Sequence, residues 1–184
     1  MPALTTPKAE TGWKAADFSL KGTDGKTYSL KDIKAPKGLV IMFICNHCPF
    51  VQAVADKLAA DMKALEKLGV GSIAIMSNDA DNYPEDALPN MIKFKVQHGF
   101  DFPYVIDETQ QVARRYDAVC TPDFFGFDAN LALQYRGRLD ASGMQRGNSG
   151  KRELLEAMKQ VAETGHAPTV QNPSIGCSIK WRDD

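Results

Sequence analysis

The sequence predicts an α/β protein with a mixed central sheet flanked by helices, an N-terminal hairpin and an extended C-terminal tail. Three patterns support this fold class. The apolar run from Leu39 to Ile44 is typical of a central strand that is buried on both faces. Strand patterns then alternate with helix patterns, which favours parallel pairing in the centre of the sheet. A late hairpin pattern at residues 123–136 adds antiparallel edge strands.

Each element follows from its own local pattern. Asp24-Gly25 lies between two short alternating runs, which is a strong short-range signal for a hairpin. From Val51 to Leu68, apolar residues recur every three or four positions, which predicts an amphipathic helix that ends at Gly69. The other predicted elements are, in chain order, a strand at 73–76, a helix at 91–98, a strand at 104–106, a helix at 109–116, hairpin strands at 123–127 and 132–136, and a helix at 152–163.

The length and composition indicate one domain with a full hydrophobic core. The chain has 184 residues, of which 43% are apolar and 24% charged, the usual balance of a globular protein. We expect a flexible arm at residues 1–12, a folded domain at 13–164 and a tail at 165–184 that packs on the domain.

The charge balance excludes several classes of partner. The chain carries 22 basic and 23 acidic side chains, so nothing favours nucleic acid or an anionic membrane surface. The longest apolar run, Leu39 to Cys45, is too short to span a bilayer. The N-terminus lacks a basic start followed by an apolar stretch, so we expect no signal peptide and a cytoplasmic location.

Two of the four cysteines, Cys45 and Cys48, form a C-x-x-C pair where the buried strand meets the long helix. The first turn of a helix presents unpaired backbone N–H groups, which stabilise a thiolate and lower its pKa below about 8.5. We expect Cys45 to lie near the helix N-cap with its sulfur outermost, as the nucleophile. Cys48 would then close a small disulfide ring with it. A cationic His47 would favour the thiolate further.

The cysteine pair has two other interpretations, neither of which involves redox chemistry. Asn46 and His47 lie between the cysteines, and Pro49 is tolerated because a first-turn N–H has no helical partner. The pair could be two small buried apolar residues, or half of a zinc site. Zinc would need a second pair at similar spacing, whereas Cys120 and Cys177 are isolated from each other. We therefore predict a redox pair, with no metal and no cofactor.

Taken together, the motifs resemble those of the thioredoxin superfamily, and specifically its peroxiredoxin-like branch of alkyl hydroperoxide reductase and thiol-specific antioxidant type. The resemblance covers roughly residues 13–140. The motifs that carry it are Asp17-Phe18-Ser19-Leu20, Asp24-Gly25-Lys26, Ser29-Leu30, the C-x-x-C pair, Phe102-Pro103, Asp107 and Thr121-Pro122. The resemblance implies a thioredoxin-like fold in which Pro122 is cis and faces the pair. It also implies that Thr121 offers its backbone to an extended substrate segment.

The chain departs from the peroxiredoxin pattern at one important position. Peroxiredoxins carry a threonine three residues before the peroxidatic cysteine. Aligning that cysteine with Cys48 puts Cys45 at the threonine position. The strand at 39–44 also contains no buried acid of the kind that serves thioredoxins as a proton relay, so the base for Cys48 is unidentified. These departures favour dithiol exchange over dedicated peroxide reduction.

The two remaining cysteines have two interpretations each. Cys120 lies two residues before Pro122, and Cys177 lies in the tail. Cys177 is either a resolving thiol or a packing residue of the tail. Cys120 is either a third redox partner or a small core residue.

The leading hypothesis is a thiol–disulfide oxidoreductase in which Cys45 attacks a substrate disulfide and Cys48 resolves the mixed disulfide. One alternative is an antioxidant thiol peroxidase, in which a hydroperoxide oxidises one of these cysteines to a sulfenic acid. A remote alternative is a copper-binding chaperone, which would need a histidine from a late hairpin, and neither His98 nor His166 lies in one. The expected partners are protein or small-molecule disulfides or hydroperoxides, and a thiol reductant system.

Overall fold

The computed structural model describes residues 3–145 and 150–183, which form ten strands, five α-helices and one 3₁₀ turn at Pro84–Asp86. The strands are β1 (Ala3–Thr5), β2 (Leu20–Gly22), β3 (Thr27–Tyr28), β4 (Gly38–Phe43), β5 (Val70–Met76), β6 (Tyr104–Ile106), β7 (Cys120–Thr121), β8 (Asp123–Phe127), β9 (Leu133–Gly137) and β10 (Ile175–Ser178). The helices are α1 (Leu30–Ile33), α2 (Pro49–Lys67), α3 (Leu88–His98), α4 (Gln111–Arg115) and α5 (Glu153–Thr164).

The central sheet has seven strands in the order β3-β2-β6-β5-β4-β8-β9. Strand β4 pairs in parallel with β5 and antiparallel with β8, while the other parallel pair is β5 with β6. The predicted mixed sheet flanked by helices, with hairpins β2–β3 and β8–β9 at its two edges, is confirmed. This order puts the C-terminal end of β4 in the middle of the sheet.

Strand β4 divides the core into two layers. Every residue of it is buried, and because side chains alternate along a strand, Val40 and Met42 face α2 while Ile41 and Phe43 face the other way. Burying each of these side chains contributes roughly 1.5–3 kcal/mol. The unbroken apolar run in the sequence reflects this burial on both faces.

Helix α2 follows β4 and lies across the sheet. Its N-cap residue is Cys48 and its first residue is Pro49, where the missing N–H costs no helical hydrogen bond. Gly69, which has a φ of +83°, follows the helix where the sequence predicts its end. Within the described residues, no helix combines the length and the apolar character that a bilayer span requires.

Part of the expected flexible arm at residues 1–12 forms strand β1 in the structure. Ala3–Thr5 instead pair antiparallel with β10 in a second sheet of order β1-β10-β7, and the Thr6 N–H donates to the Ser174 carbonyl oxygen at 3.0 Å. The pairing uses backbone groups that any short extended segment can offer, which explains why the side-chain pattern did not indicate it. The boundaries of the domain itself stay a prediction.

Candidate active site

The C-x-x-C pair lies at the C-terminal end of β4 and the N-terminus of α2. The sequence places Cys45 near the N-cap with its sulfur outermost, but the N-cap residue in the structure is Cys48. Both side chains are buried, with exposed fractions of 1% for Cys45 and 0% for Cys48. Neither sulfur is the exposed nucleophile that the sequence analysis expects.

Thr121 contacts both cysteines. Its Oγ1 lies 3.4 Å from the Cys45 Sγ, and its carbonyl oxygen lies 3.2 Å from the Cys48 Sγ. The Thr121–Pro122 peptide bond is cis, as the resemblance implies. The strand junction β7–β8 therefore faces the pair, and the substrate-binding role of Thr121 and Pro122 stays a prediction.

The structure brings Cys177 to the pair and directs Cys120 elsewhere. Strand β10 pairs antiparallel with β7 so that Cys177 stands opposite Thr121, and Cys177 packs against the apolar cluster that contains Cys45 and Cys48. Cys120 is fully buried, with its thiol 3.6 Å from the Pro122 carbonyl oxygen. Burial, together with the negative charge of Asp123, raises the pKa of the Cys120 thiol far above its ordinary value.

A buried acid that the sequence analysis missed, Asp86, holds the segment between the cysteines. Its Oδ1 accepts the backbone N–H of Asn46 at 2.8 Å, and its Oδ2 lies 2.6 Å from His47 Nδ1 and accepts from Asn78 Nδ2 at 2.9 Å. Asp86 belongs to the 3₁₀ turn after β5, so its proximity to the pair depends on the neighbouring strand. No local spacing in the sequence links it to the cysteines.

His47 and Asp86 form an ion pair beside the cysteines. The hydrogen bond to Asp86 raises the pKa of His47, and the partial burial of the ring opposes this only in part. Burial alone would raise the pKa of Asp86, but the hydrogen bonds from His47 and Asn78 outweigh it and the pKa is lowered. His47 also stacks on Tyr83, with ring centroids 5.8 Å apart.

The charge of the reduced pair is stabilised on Cys48. A hydrogen bond from the Cys45 thiol is the largest cause that lowers the pKa of Cys48 to about 5, and burial opposes it. The Cys177 thiol and backbone N–H lower it further, as does the Thr121 side chain. The same bond to Cys48, burial and the negative charge of Asp86 raise the pKa of Cys45. These interactions favour a thiolate on Cys48 over one on Cys45.

The described residues contain one group that could hold a cation. Ligand atoms of Cys45, His47 and Asp86 all lie within 4.8 Å of one another. A cation among them would compete with the His47–Asp86 ion pair and with the hydrogen bond from Cys45 to Cys48. Three donors also leave a tetrahedral zinc ion one protein ligand short of a structural site.

The lowered pKa of Cys48 leads to a titration with a known direction. We expect the ultraviolet thiolate absorbance of the reduced protein to stay constant as the pH falls from neutral and to drop with a midpoint of about 5. Because the folded pKa lies below the unfolded value of about 8.5, the thiolate stabilises the fold fully above that unfolded value, and this stability is lost as the pH falls through the folded pKa.

A matched pair of variants checks the assignment of that titration. Cys48→Ser should remove the low-pH step, and Cys120→Ser should keep it, because the Cys120 thiol is held neutral by burial. A single step near the ordinary thiol pKa of about 8.5 in the unchanged protein would contradict the lowered pKa of Cys48.

Comparisons with known proteins identify a family and two similar structures. Residues 11–136 match the AhpC/TSA family. An uncharacterized conserved protein from Geobacillus kaustophilus is 44% identical, with a TM-score of 0.94 over 100% of this chain and 98% of the other. A hypothetical protein from Sinorhizobium meliloti is 36% identical, with a TM-score of 0.91 over 98% and 99% of the two chains. A search of curated protein sequences finds no match.

A more distant structure identifies the fold. A thiol:disulfide interchange protein of the thioredoxin family from Chlorobium tepidum is 20% identical, with a TM-score of 0.58 over 71% of this chain and 87% of the other. The thioredoxin-like fold that the sequence predicts is thereby confirmed.

Proposed function

The chain belongs to the AhpC/TSA family, and from that premise we propose that it is a thiol–disulfide oxidoreductase whose Cys45/Cys48 pair cycles between dithiol and disulfide. One observation carries the proposal. Cys45 and Cys48 lie together at the N-terminus of α2, each in contact with Thr121, and interactions there lower the pKa of Cys48 to about 5. A pair of neighbouring thiols, one of them ionised at neutral pH, is what disulfide exchange requires.

The cycle needs two exchange steps. Because Cys48 is buried beneath β10, the first step requires β10 to move aside. The Cys48 thiolate then attacks one sulfur of a substrate disulfide, a bond forms between Cys48 and that sulfur, and the other substrate sulfur leaves as a thiolate. The Cys45 sulfur, after giving up its proton, attacks Cys48 and releases the second substrate thiolate. The pair loses two electrons and the substrate gains them, and the proton of Cys45 goes to a leaving thiolate. This order of attack is the reverse of the order expected from the sequence.

Asp86 and His47 support the pair without touching the reacting sulfurs in this scheme. Asp86 fixes the Asn46 backbone, which sets the spacing of the two cysteines, and its charge disfavours a thiolate on Cys45. Thr121 and Pro122 would line the substrate site once β10, which pairs with Thr121, moves aside. A thiol reductant returns the pair to the dithiol, and the proposal includes a cytoplasmic location, where such reductants are abundant.

Hydroperoxide reduction is the second candidate, favoured by the single stabilised thiolate of Cys48. That thiolate would attack one peroxide oxygen, the O–O bond would break with release of an alcohol or water, and Cys48 would carry a sulfenic acid. Cys45 would then condense with it, forming the disulfide and releasing water. The copper-binding alternative remains the weakest, since His98 Nδ1 donates to Asp56 Oδ1 at 2.7 Å on the α2–α3 surface.

Single-turnover oxidation separates the two candidates. The fully reduced protein is mixed either with oxidised glutathione or with hydrogen peroxide, and the loss of free thiols is followed with time. The proposal expects loss of two thiols per chain with oxidised glutathione at a rate that follows the Cys48 thiolate fraction. Oxidation that occurs only with peroxide, with a sulfenic acid trapped on Cys48, would replace it with the peroxidase candidate.

A further inference from the structure

The C-terminal tail lies across the cysteine pair. Strand β10 pairs with β7 on the side that faces the pair, and this places Cys177 opposite Thr121. Both members of the pair are buried beneath it, whereas Cys177 is half-buried. Among the three cysteines that meet at the site, Cys177 is therefore the one with access to solvent.

The tail is fitted to this position by contacts on both sides of Cys177. A Cβ atom at Gly176 would overlap the Thr121 carbonyl oxygen, so the close approach of β10 to β7 requires glycine there. Before it, the Ser174 Oγ donates to the Pro122 carbonyl oxygen at 2.6 Å. After it, the Lys180 N–H donates to Asn78 Oδ1 at 2.9 Å. The position of Cys177 over the pair is thus fixed by specific contacts.

Cys177 already interacts with the ionised sulfur. Cys177 stands opposite Thr121, whose carbonyl oxygen lies 3.2 Å from the Cys48 Sγ, and it packs on the apolar cluster that contains both members of the pair. Its thiol and backbone also contribute to the lowered pKa of Cys48. Burial first, and the adjacent Cys48 sulfur second, raise the pKa of Cys177 to about 11, so it holds its proton while Cys48 is a thiolate. Once Cys48 is in a disulfide its negative charge is gone, and one cause that keeps Cys177 protonated is removed.

We propose that Cys177 is a third redox-active cysteine, through which the buried Cys45–Cys48 disulfide exchanges with thiols in solvent. This inference rests on the proposed function and extends it to the reductive half of the cycle. It also assigns the reductant: a small or exposed thiol that can reach the tail.

The exchange balances without an outside oxidant. The Cys177 sulfur, after losing its proton, attacks Cys48. A Cys48–Cys177 bond forms, the Cys45–Cys48 bond breaks, and Cys45 leaves as a thiolate that takes up a proton. A solvent thiol then attacks Cys177 and releases the Cys48 thiolate. A second solvent thiol removes the first as a disulfide, so two thiols supply the two electrons that reduce the pair.

The bond itself is tested in a chain that lacks Cys45. Cys45→Ser protein, fully reduced, is treated with oxidised glutathione and its disulfides are mapped by peptide mass spectrometry. Glutathione should join Cys48 and then be displaced by Cys177, so that a Cys48–Cys177 bond accumulates. Adding Cys120→Ser should leave this bond in place. Adding Cys177→Ser should instead leave glutathione on Cys48.

The role in turnover is tested in the chain that keeps Cys45 and Cys48. Oxidised Cys177→Ser protein should be reduced by glutathione about tenfold or more slowly than the unchanged protein, since the tethered thiol is replaced by one that must diffuse to a buried sulfur. Glutathione that persists on Cys48 in the Cys45→Ser protein, together with an unchanged rate in Cys177→Ser, would overturn the inference. That outcome leaves the proposed function standing, whereas failure of the unchanged protein to form a Cys45–Cys48 bond would overturn both.

Discussion

Cys48→Ser is expected to lower the rate of disulfide reduction by about a thousandfold or more, because a serine hydroxyl is not ionised at neutral pH and cannot replace the thiolate. Cys45→Ser removes the second thiol of the pair, so that after the first attack on Cys48 its turnover depends on Cys177 alone. The double variant Cys45→Ser/Cys177→Ser should therefore keep one of the two thiol components of the substrate disulfide bound to Cys48 as a mixed disulfide. Steady-state assays and intact-protein mass spectrometry measure the two effects.

The order of attack is what these variants decide. In Cys48→Ser protein we expect no mixed disulfide, because burial and the negative charge of Asp86 still raise the pKa of the remaining Cys45 thiol. A stable substrate adduct on Cys45 in that variant would show that Cys45 attacks first, as the sequence analysis expects. Cys120→Ser serves as the matched control, since it removes a buried thiol that is directed at the Pro122 carbonyl oxygen.

Asp86→Asn is expected to cause the largest loss of stability among the site variants, about 3 kcal/mol of unfolding free energy. The substitution removes one charge of a buried ion pair. It also places an amide N–H₂ group, which can only donate, beside neighbouring groups that are themselves hydrogen-bond donors. The carboxylate at this position accepts from Asn46 and Asn78 and pairs with His47. Urea unfolding of the reduced protein at neutral pH measures the loss. The pKa of His47, followed by NMR, should fall in the variant.

The pH dependence of the unfolding free energy is a second test of Asp86→Asn. The raised pKa of His47 stabilises the fold below the unfolded value of about 6.5 and ceases to do so as the pH rises through the folded value. The lowered pKa of Asp86 stabilises it above the unfolded value of about 3.9 and is lost as the pH falls through the folded value. The contribution of the pair is therefore largest between these limits, and Asp86→Asn should flatten it.

Glu85→Gln is the control for that experiment. Glu85 precedes Asp86 in the same turn but its side chain is exposed. Its neutralisation should change the unfolding free energy by less than about 0.5 kcal/mol. Equal stability of Asp86→Asn and the unchanged protein would contradict the structural role given to the buried acid.

The fold was predictable where burial leaves a periodic trace in the sequence. Strand β4 shows an unbroken apolar run because both of its faces are covered, and α2 shows a three-and-four repeat because only one of its faces is. Strands β1 and β10 leave no such trace. They are three and four residues long and partly exposed, and they are held by backbone pairing that constrains the side chain only at Gly176.

The site was predictable where the chemistry is local. The C-x-x-C pair at a strand–helix junction and the Thr121–Pro122 segment were identified from the sequence, and the structure brings them into contact. The distribution of charge within the pair was not predictable. It depends on Cys177, from the far end of the chain, and on Asp86, from the loop after β5, and neither is linked to the pair by sequence spacing.

A disulfide map of the oxidised protein tests most directly whether Cys45 and Cys48 form a redox-active disulfide. The fully reduced full-length chain is treated with about one equivalent of oxidised glutathione, blocked with an alkylating reagent and digested for peptide mass spectrometry. We expect the Cys45–Cys48 disulfide to be the main product, with Cys120 alkylated only after unfolding. Recovery of Cys45 and Cys48 as free thiols, while the oxidant is consumed elsewhere in the chain or not at all, would contradict it.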